Sequence, residues 1–214
     1  MTDLSIIILS YNTEAFLREC LKSLFAVLRH DKSITSEVIV VDNASSDNSV
    51  AMVKKEFPEV LLIENKENSG FAKGNNLGIK KAKGAYVLFL NSDAVIADTP
   101  DALPFRYLLS FMKEHEHVGA LTCRVNLPNR TIDDACHRGY PTPWNAFCHF
   151  SGLGSLFSSS TFFNGYHMGY RHLDIPHEID ALAGAFMLVK RDAGEAVGWW
   201  DEDYFFYGED LDFC

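Results

Sequence analysis

The sequence has no surplus of positive charge. Its 19 lysines and arginines face 29 aspartates and glutamates, for a formal net charge of −10. No Lys/Arg block is present to neutralise phosphates or to face an anionic bilayer, so nucleic acid is not an expected partner. Cysteine is sparse and scattered: Cys20, Cys123, Cys136, Cys148 and Cys214 give an odd count with no CxxC spacing. That argues against a disulfide framework and against a structural zinc site. Long apolar runs are missing as well. Leu4–Leu9 is far too short for a membrane span, and Met1-Thr2-Asp3 lacks the basic start of a secretory leader. The expected location is the cytosol, at the cytoplasmic face of the inner membrane if the substrate resides there.

Several phosphate and catalytic signatures are absent too. No GxGxxG follows the first apolar run, no GxxxxGK[ST] exists, and neither GxSxG nor HExxH occurs. A dinucleotide fingerprint, a Walker loop, a nucleophile elbow and a zinc-protease helix are therefore excluded.

What remains is a chain of 214 residues, 47% hydrophobic and 22% charged, enough to build the core of one large domain. Short apolar runs at Leu4–Leu9, Val38–Val41, Val60–Ile63 and Tyr86–Leu90 alternate with helical patterns over Glu14–Leu28, a segment capped near Ser45, Ser46 and Asp47 and running through Lys55, and Phe71–Lys81. This β-α-β-α-β-α-β order predicts a Rossmann-like, mostly parallel sheet covered by helices, with its ligand at the C-terminal ends of the strands. The second half is less regular. Leu103–Met112 reads as a helix, Val118–Cys123 and Ala185–Val189 as strands, and Lys190–Val197 as a short helix. Residues 124–178 are too long for an ordinary connection and predict a functional loop or small elements.

Polar residues close three of the predicted strands: Ser10 and Tyr11, Asp42 and Asn43, then Asn91 and Asp93. Any one of these is an ordinary strand-ending turn, but three together mark a crevice. Asp93 can hold Mg²⁺ or Mn²⁺ if a diphosphate supplies most other ligands, because hard cations prefer oxygen. Lys73 follows a glycine-containing turn and could add positive charge or be a solvated helix lysine. A second acidic group, Glu209, Asp210 and Asp212, sits among Trp199, Trp200, Tyr204, Phe205, Phe206, Tyr207 and Phe213. It reads either as a carbohydrate-facing site with a general base or as an aromatic core edge with acids turned to water. The histidines do not resolve into a metal site. His115 and His117 do not converge on a helix, and His167, His172 and His177 are expected in surface or packing roles.

Ile6-Ile7-Ile8-Leu9-Ser10-Tyr11-Asn12, Val40-Val41-Asp42-Asn43-Ala44-Ser45-Ser46-Asp47 and Asn68-Ser69-Gly70-Phe71-Ala72-Lys73-Gly74-Asn75-Asn76-Leu77-Gly78 resemble the opening of a family 2 glycosyltransferase. Leu90-Asn91-Ser92-Asp93, Gly184–Arg191 and Gly198–Asp212 resemble its later blocks, so the likeness spans nearly the whole chain. Cys136-His137-Arg138-Gly139-Tyr140-Pro141-Thr142-Pro143-Trp144 is similar to a segment of rhamnosyltransferase-like enzymes of bacterial surface polysaccharide synthesis.

The resemblance implies a GT-A fold, with residues 1–98 as the nucleotide-sugar-binding half and 99–214 as the acceptor-side half of the same domain. It implies an inverting transfer of a sugar, rhamnose in that subgroup, from a dTDP- or UDP-linked donor to a saccharide or lipid-linked saccharide. Asp42 would meet the uracil or thymine ring, with Ser10 and Tyr11 lining its pocket. Lys73, Asn75 and Ser92 are further donor-binding candidates. Asp93 would ligate Mg²⁺ or Mn²⁺ with the diphosphate, Asp210 would be the general base, and Glu209 would orient the acceptor. Ser92 departs from more acidic patterns and leaves Asp93 as the only carboxylate of its motif. Members of the family usually continue past the acidic block, so a truncation at Cys214 is expected, with peripheral membrane association through the missing residues. Two alternatives stay open: a nucleotidyltransferase, whose glycine-rich basic loop after the first strand is replaced here by Ser10-Tyr11-Asn12-Thr13, and a catalytically silent nucleotide- or sugar-binding domain.

Overall fold

Leu4–Ser10 is a run of isoleucine and leucine interrupted by serine, and it forms β1, in which every side chain but one is buried. Such a strand needs cover on both faces, which a parallel sheet with helical crossovers supplies. The structure, a computed structural model, describes residues 2–97 and 104–214. The boundary expected between residues 98 and 99, and the helix start expected at Leu103, lie outside the described residues.

The chain separates into two compact units. One comprises Met1–Leu121, Gly184–Glu209 and Phe213; the other comprises Thr122–Ala183, Asp210–Asp212 and Cys214. In the first unit, β1 is followed by α1 (Glu14–His30), β2 (Ser36–Asp42), α2 (Ser49–Glu56), β3 (Leu61–Glu64), α3 (Phe71–Ile79), β4 (Tyr86–Asn91), α4 (Pro104–Glu114) and β5 (Ala120–Leu121). Among the described residues the sheet has six strands, with β6 (Phe186–Lys190) the last to join, in the order β3-β2-β1-β4-β6-β5. The first four strands are parallel, β6 runs antiparallel to β4, and β5 runs antiparallel to β6. The mostly parallel α/β sheet expected from the pattern is thus present, extended by an antiparallel pair at one edge.

Helix α1 forms because Leu17, Cys20, Leu21, Leu24 and Val27 recur at helical spacing and bury one stripe. Each fully buried leucine there contributes about 1.5–3 kcal/mol of hydrophobic stabilisation. Helix α2 starts later than its candidate caps. Asp47 accepts the Ser49 amide through Oδ1 and the Glu14 amide through Oδ2, so one carboxylate serves the first turns of α2 and α1. The strand expected over Val118–Cys123 narrows to β5, because as an edge strand it pairs only with Leu188 and Val189.

The aromatic stretch beginning at Trp199 divides in two. Trp200 is buried against Phe71, Phe89 and Phe213, with ring centroids 5.4, 5.0 and 4.8 Å away, so this part is core. Phe205, Phe206 and Tyr207 stay exposed. β6 leads into α7 (Arg191–Val197), which ends at Gly198 in the left-handed conformation, φ 86°.

The second unit supplies the small elements expected over 124–178: a 3₁₀ turn at Asp134–Cys136, α5 (Pro143–Phe150) and α6 (Leu153–Leu156). Thr142 caps α5 by accepting the Asn145 amide, with Pro143 in the first turn. The last helix, α8, spans Glu209–Phe213.

Candidate active site

Strand β1 has β2 on one side and β4 on the other, so the chain order reverses at β1 and opens a crevice at the strands' C-terminal ends. Register places Ser10 opposite Asp42, and Leu9 opposite both Val41 and Asn91. Ser10 is buried, and its hydroxyl lies 2.9 Å from Thr13 Oγ1, which donates to Ser92 Oγ at 3.1 Å. Thr13 has one proton to give, so the Ser10 hydroxyl must donate to it. The hydroxyls form a directed chain, Ser10 to Thr13 to Ser92, and the Ser92 proton is left for another acceptor. Thr13 was not singled out by sequence; its place three residues after a strand-ending serine was the available signal.

Asp42 ends β2 and is only 3% exposed. Its Oδ2 accepts the Ser45 amide at 2.9 Å, while its Oδ1 is buried with no hydrogen-bond partner among the described residues. An unmet buried acceptor costs roughly 1–3 kcal/mol, more when charged, so this oxygen is poised for a donor that comes with a ligand.

Next to it, Asn43 organises the following loop. Its Nδ2 donates to Asn68 Oδ1 and to the Gly70 carbonyl, and its Oδ1 accepts from Asn65 Nδ2 and from the amide and hydroxyl of Ser69. These bonds hold the turn into α3, where Gly70 takes φ 81° and the Phe71 amide donates to the Phe205 carbonyl at 2.8 Å. The sequence marked Asn43 as a strand-ending residue without assigning it this role.

The remaining donor-side candidates fall in different settings. Ser10, Asp42 and Ser92 share the strand ends, and Tyr11 follows Ser10 with its side chain half exposed. Lys73 is exposed on the first turn of α3. The Asn75 carboxamide is buried and donates to the Phe71 carbonyl at 3.0 Å, which directs it back into its own helix. Asp93 is exposed just after β4. Among the described residues no group of three or more His, Cys, Asp or Glu is arranged to hold a metal. A lone exposed carboxylate fits a hard divalent cation whose other ligands are diphosphate oxygens and water, and does not fit a closed protein cage.

Of the acidic block, Glu209 is buried at the start of α8 in the first unit, and Asp210 belongs to the second. Within the second unit Arg138 Nη2 donates to Asp210 Oδ2 in an ion pair whose side chains are only 14% and 18% exposed. The backbone around Arg138 is fixed as well: its carbonyl accepts the Ala181 amide at 3.2 Å, and the Gly139 amide donates to the Tyr166 carbonyl at 2.8 Å. The Cys214 thiol accepts the Leu182 amide at 3.3 Å. Arg138 lies in the segment Cys136–Trp144, yet nothing in the sequence ties it to Asp210.

This architecture, a mixed α/β sheet with buried polar residues at a switch point, is that of the GT-A glycosyltransferases. A sequence model described as glycosyl transferase family 2 matches residues 5–175, and the chain belongs to that family. Similar curated proteins include the poly-beta-1,6-N-acetyl-D-glucosamine synthases of Staphylococcus aureus strain COL, 26% identical over 204 residues, and of Staphylococcus epidermidis strain ATCC 35984, 26% identical over 202 residues. The alignments cover 90% and 94% of this chain but 40% and 42% of those proteins, so the chain spans about two fifths of their length. Among solved structures, S. aureus TarS 1-349 in complex with UDP is 22% identical with a TM-score of 0.66, over 99% of this chain and 54% of that one. The mannosyltransferase PcManGT of Pyrobaculum calidifontis, in complex with GDP-Man and Mn²⁺, is 20% identical with a TM-score of 0.60, over 99% of this chain and 52% of that one. Among the described residues no helix is long and apolar enough to cross a membrane.

Proposed function

We propose that the protein is an inverting glycosyltransferase of polysaccharide biosynthesis, moving a sugar from a UDP- or dTDP-linked donor to a saccharide or lipid-linked saccharide acceptor. The observation that carries this reading is the buried Asp42 Oδ1 at the switch point, which has no partner among the described residues. Uracil and thymine each present an imide N–H beside carbonyl acceptors, and that N–H satisfies the carboxylate oxygen. Ser10 and Tyr11 line the base pocket, Ser92 and Lys73 complete the donor side, and Asn75 supports it from within α3. TarS solved with UDP and with UDP-GlcNAc supports a uracil donor by family likeness. The rhamnosyltransferase-like segment Cys136–Trp144 favours dTDP-rhamnose as the alternative sugar.

Asp93 would hold Mg²⁺ or Mn²⁺ together with the diphosphate. Such an ion, when bound, supplies charge neutralisation to the leaving group. Asp210 removes the proton of the acceptor hydroxyl as that oxygen bonds to the anomeric carbon and the bond to the diphosphate oxygen breaks. A single displacement inverts the anomeric centre. Arg138 orients Asp210, and Glu209 orients the acceptor.

The test is a thermal-shift screen of UDP-GlcNAc and dTDP-rhamnose with and without Mn²⁺, followed by turnover of the stabilising donor by wild type and Asp210→Asn. The reading expects stabilisation by a donor, increased by metal, with donor binding kept and turnover lost in the variant. Equal turnover by the variant would remove Asp210 from its role. Binding without turnover in both would point to a silent nucleotide-sugar-binding domain.

A further inference from the structure

Thr13 stands immediately before the first turn of α1, where a threonine ordinarily folds its hydroxyl back onto an amide of its own helix. Here it does not. Its carbonyl accepts the Leu17 amide at 2.8 Å, but its side chain makes no capping bond, and the Glu14 amide is met by Asp47 Oδ2 at 2.9 Å. The hydroxyl turns instead to the strand ends. It lies 2.9 Å from the Ser10 hydroxyl and donates to Ser92 Oγ at 3.1 Å. Ser10 closes β1 and Ser92 follows β4, so one side chain from the β1–α1 turn links the ends of two neighbouring parallel strands. Helix capping would account for a threonine at this position, and the geometry removes that explanation.

The use of the link follows from the proton count. Ser10 gives its proton to Thr13, Thr13 gives its own to Ser92, and Ser92, itself buried, keeps one proton for an acceptor from outside. A hydroxyl that accepts a hydrogen bond is polarised and donates more strongly. The chain of three therefore presents one strengthened, directed O–H at the end of β4, next to Asp93.

We propose that Thr13 is a positioning residue for donor binding: by donating to Ser92 Oγ it directs the Ser92 proton at an oxygen of the nucleotide's diphosphate. This role rests on the UDP- or dTDP-donor reading above. Asp42 at the end of β2 and Ser92 beside β4 lie on opposite sides of β1. Two strand spacings separate them, about 10 Å. A nucleoside diphosphate whose base meets Asp42 reaches across β1 with its phosphates. Those oxygens are anionic and so is the carboxylate of Asp93, so a neutral donor of fixed direction between them offsets part of the repulsion. Thr13 acts through Ser92 and needs no contact with the nucleotide. Without its hydroxyl, Ser92 rotates freely and its proton is no longer held toward the ligand.

The test is titration calorimetry of UDP and dTDP, at one Mn²⁺ concentration, against wild type, Thr13→Val, Thr13→Ser, Ser92→Ala and the double variant Thr13→Val with Ser92→Ala. The comparison uses the nucleotide that wild type binds more tightly. Ser92→Ala should weaken binding about tenfold or more, since it removes a hydrogen bond to a charged group. Thr13→Val should weaken it about three- to tenfold through lost polarisation and direction, and Thr13→Ser should restore it to within about twofold. The double variant should bind no more weakly than Ser92→Ala, because Thr13 acts only through Ser92. Thr13→Ala removes the same hydroxyl without bulk and should repeat the Thr13→Val result, so a folding defect in one variant leaves the other. Wild-type affinity in Thr13→Val or Thr13→Ala, a loss that Thr13→Ser does not relieve, or losses that add in the double variant would overturn the proposal. Failure of wild type to bind either nucleotide would instead remove the donor reading, and the role of Thr13 with it.

Discussion

Arg138 and Asp210, 72 positions apart in the chain, meet in a largely buried ion pair that fixes the proposed base within the second unit. Removing one partner of such a pair leaves a charge without compensation, at a cost of about 3 kcal/mol. Arg138→Ala should therefore lower the unfolding free energy by about that amount in urea melts. Asp210→Asn keeps an acceptor for the guanidinium and should cost less. Equal and negligible losses in both would mean that the pair contributes nothing to the unit.

Asn43 gives the clearest stability prediction in the first unit. Its five side-chain hydrogen bonds are made by a buried carboxamide, and each contributes about 1 kcal/mol net. Asn43→Ala is expected to destabilise by about 3 kcal/mol, since some partners regain water, and to raise amide exchange over residues 65–70. Unchanged exchange there would show that the loop is held by other contacts.

The strands were legible because parallel strands buried on both faces read as continuous apolar runs, and their polar ends gave Ser10, Asp42 and Asp93 as candidates. Asn43 was visible as a position but not as a clamp, because its partners Asn65, Asn68 and Ser69 are ordinary loop residues until the turn brings them together. Arg138 was invisible for a different reason. An ion pair across 72 positions leaves no periodic trace, and its segment lies in the weakly patterned 124–178 stretch. The turn of the Thr13 hydroxyl away from its own helix and toward Ser92 depends on side-chain rotation, which no spacing rule encodes.

Acid should weaken one tie at the start of β1. Hydrogen bonds from the Thr35 amide and hydroxyl hold the Asp3 carboxyl below its ordinary value of 3.8. A depressed carboxylate stabilises the fold above the unfolded pKa and loses that contribution as pH falls through the folded value. Thermal melts of wild type and Asp3→Asn should therefore differ at pH 6 and converge as the pH falls through the folded-state value. A gap that is constant with pH would assign the effect to packing.

Cys20 is buried in α1 with its thiol directed at the Asn91 carbonyl, 3.6 Å away. Burial, with the Asp93 charge adding to it, pushes its pKa up to about 12, and burial pushes Cys123 up to about 11. Since the thiolate is the reactive form, neither should react with a disulfide reagent at pH 8 in the folded protein, and both should react in urea. Rapid labelling of Cys20 under native conditions would contradict its placement.

The proposed donor specificity depends most heavily on Asp42 Oδ1 as the acceptor for the donor's base. Titration calorimetry of UDP against wild type and Asp42→Asn measures that directly. Loss of a hydrogen bond to a charged group is worth about 1.5–3 kcal/mol, so the variant should bind UDP roughly 10- to 150-fold more weakly. Equal affinity of both proteins for UDP would contradict a role for Asp42 in holding the base.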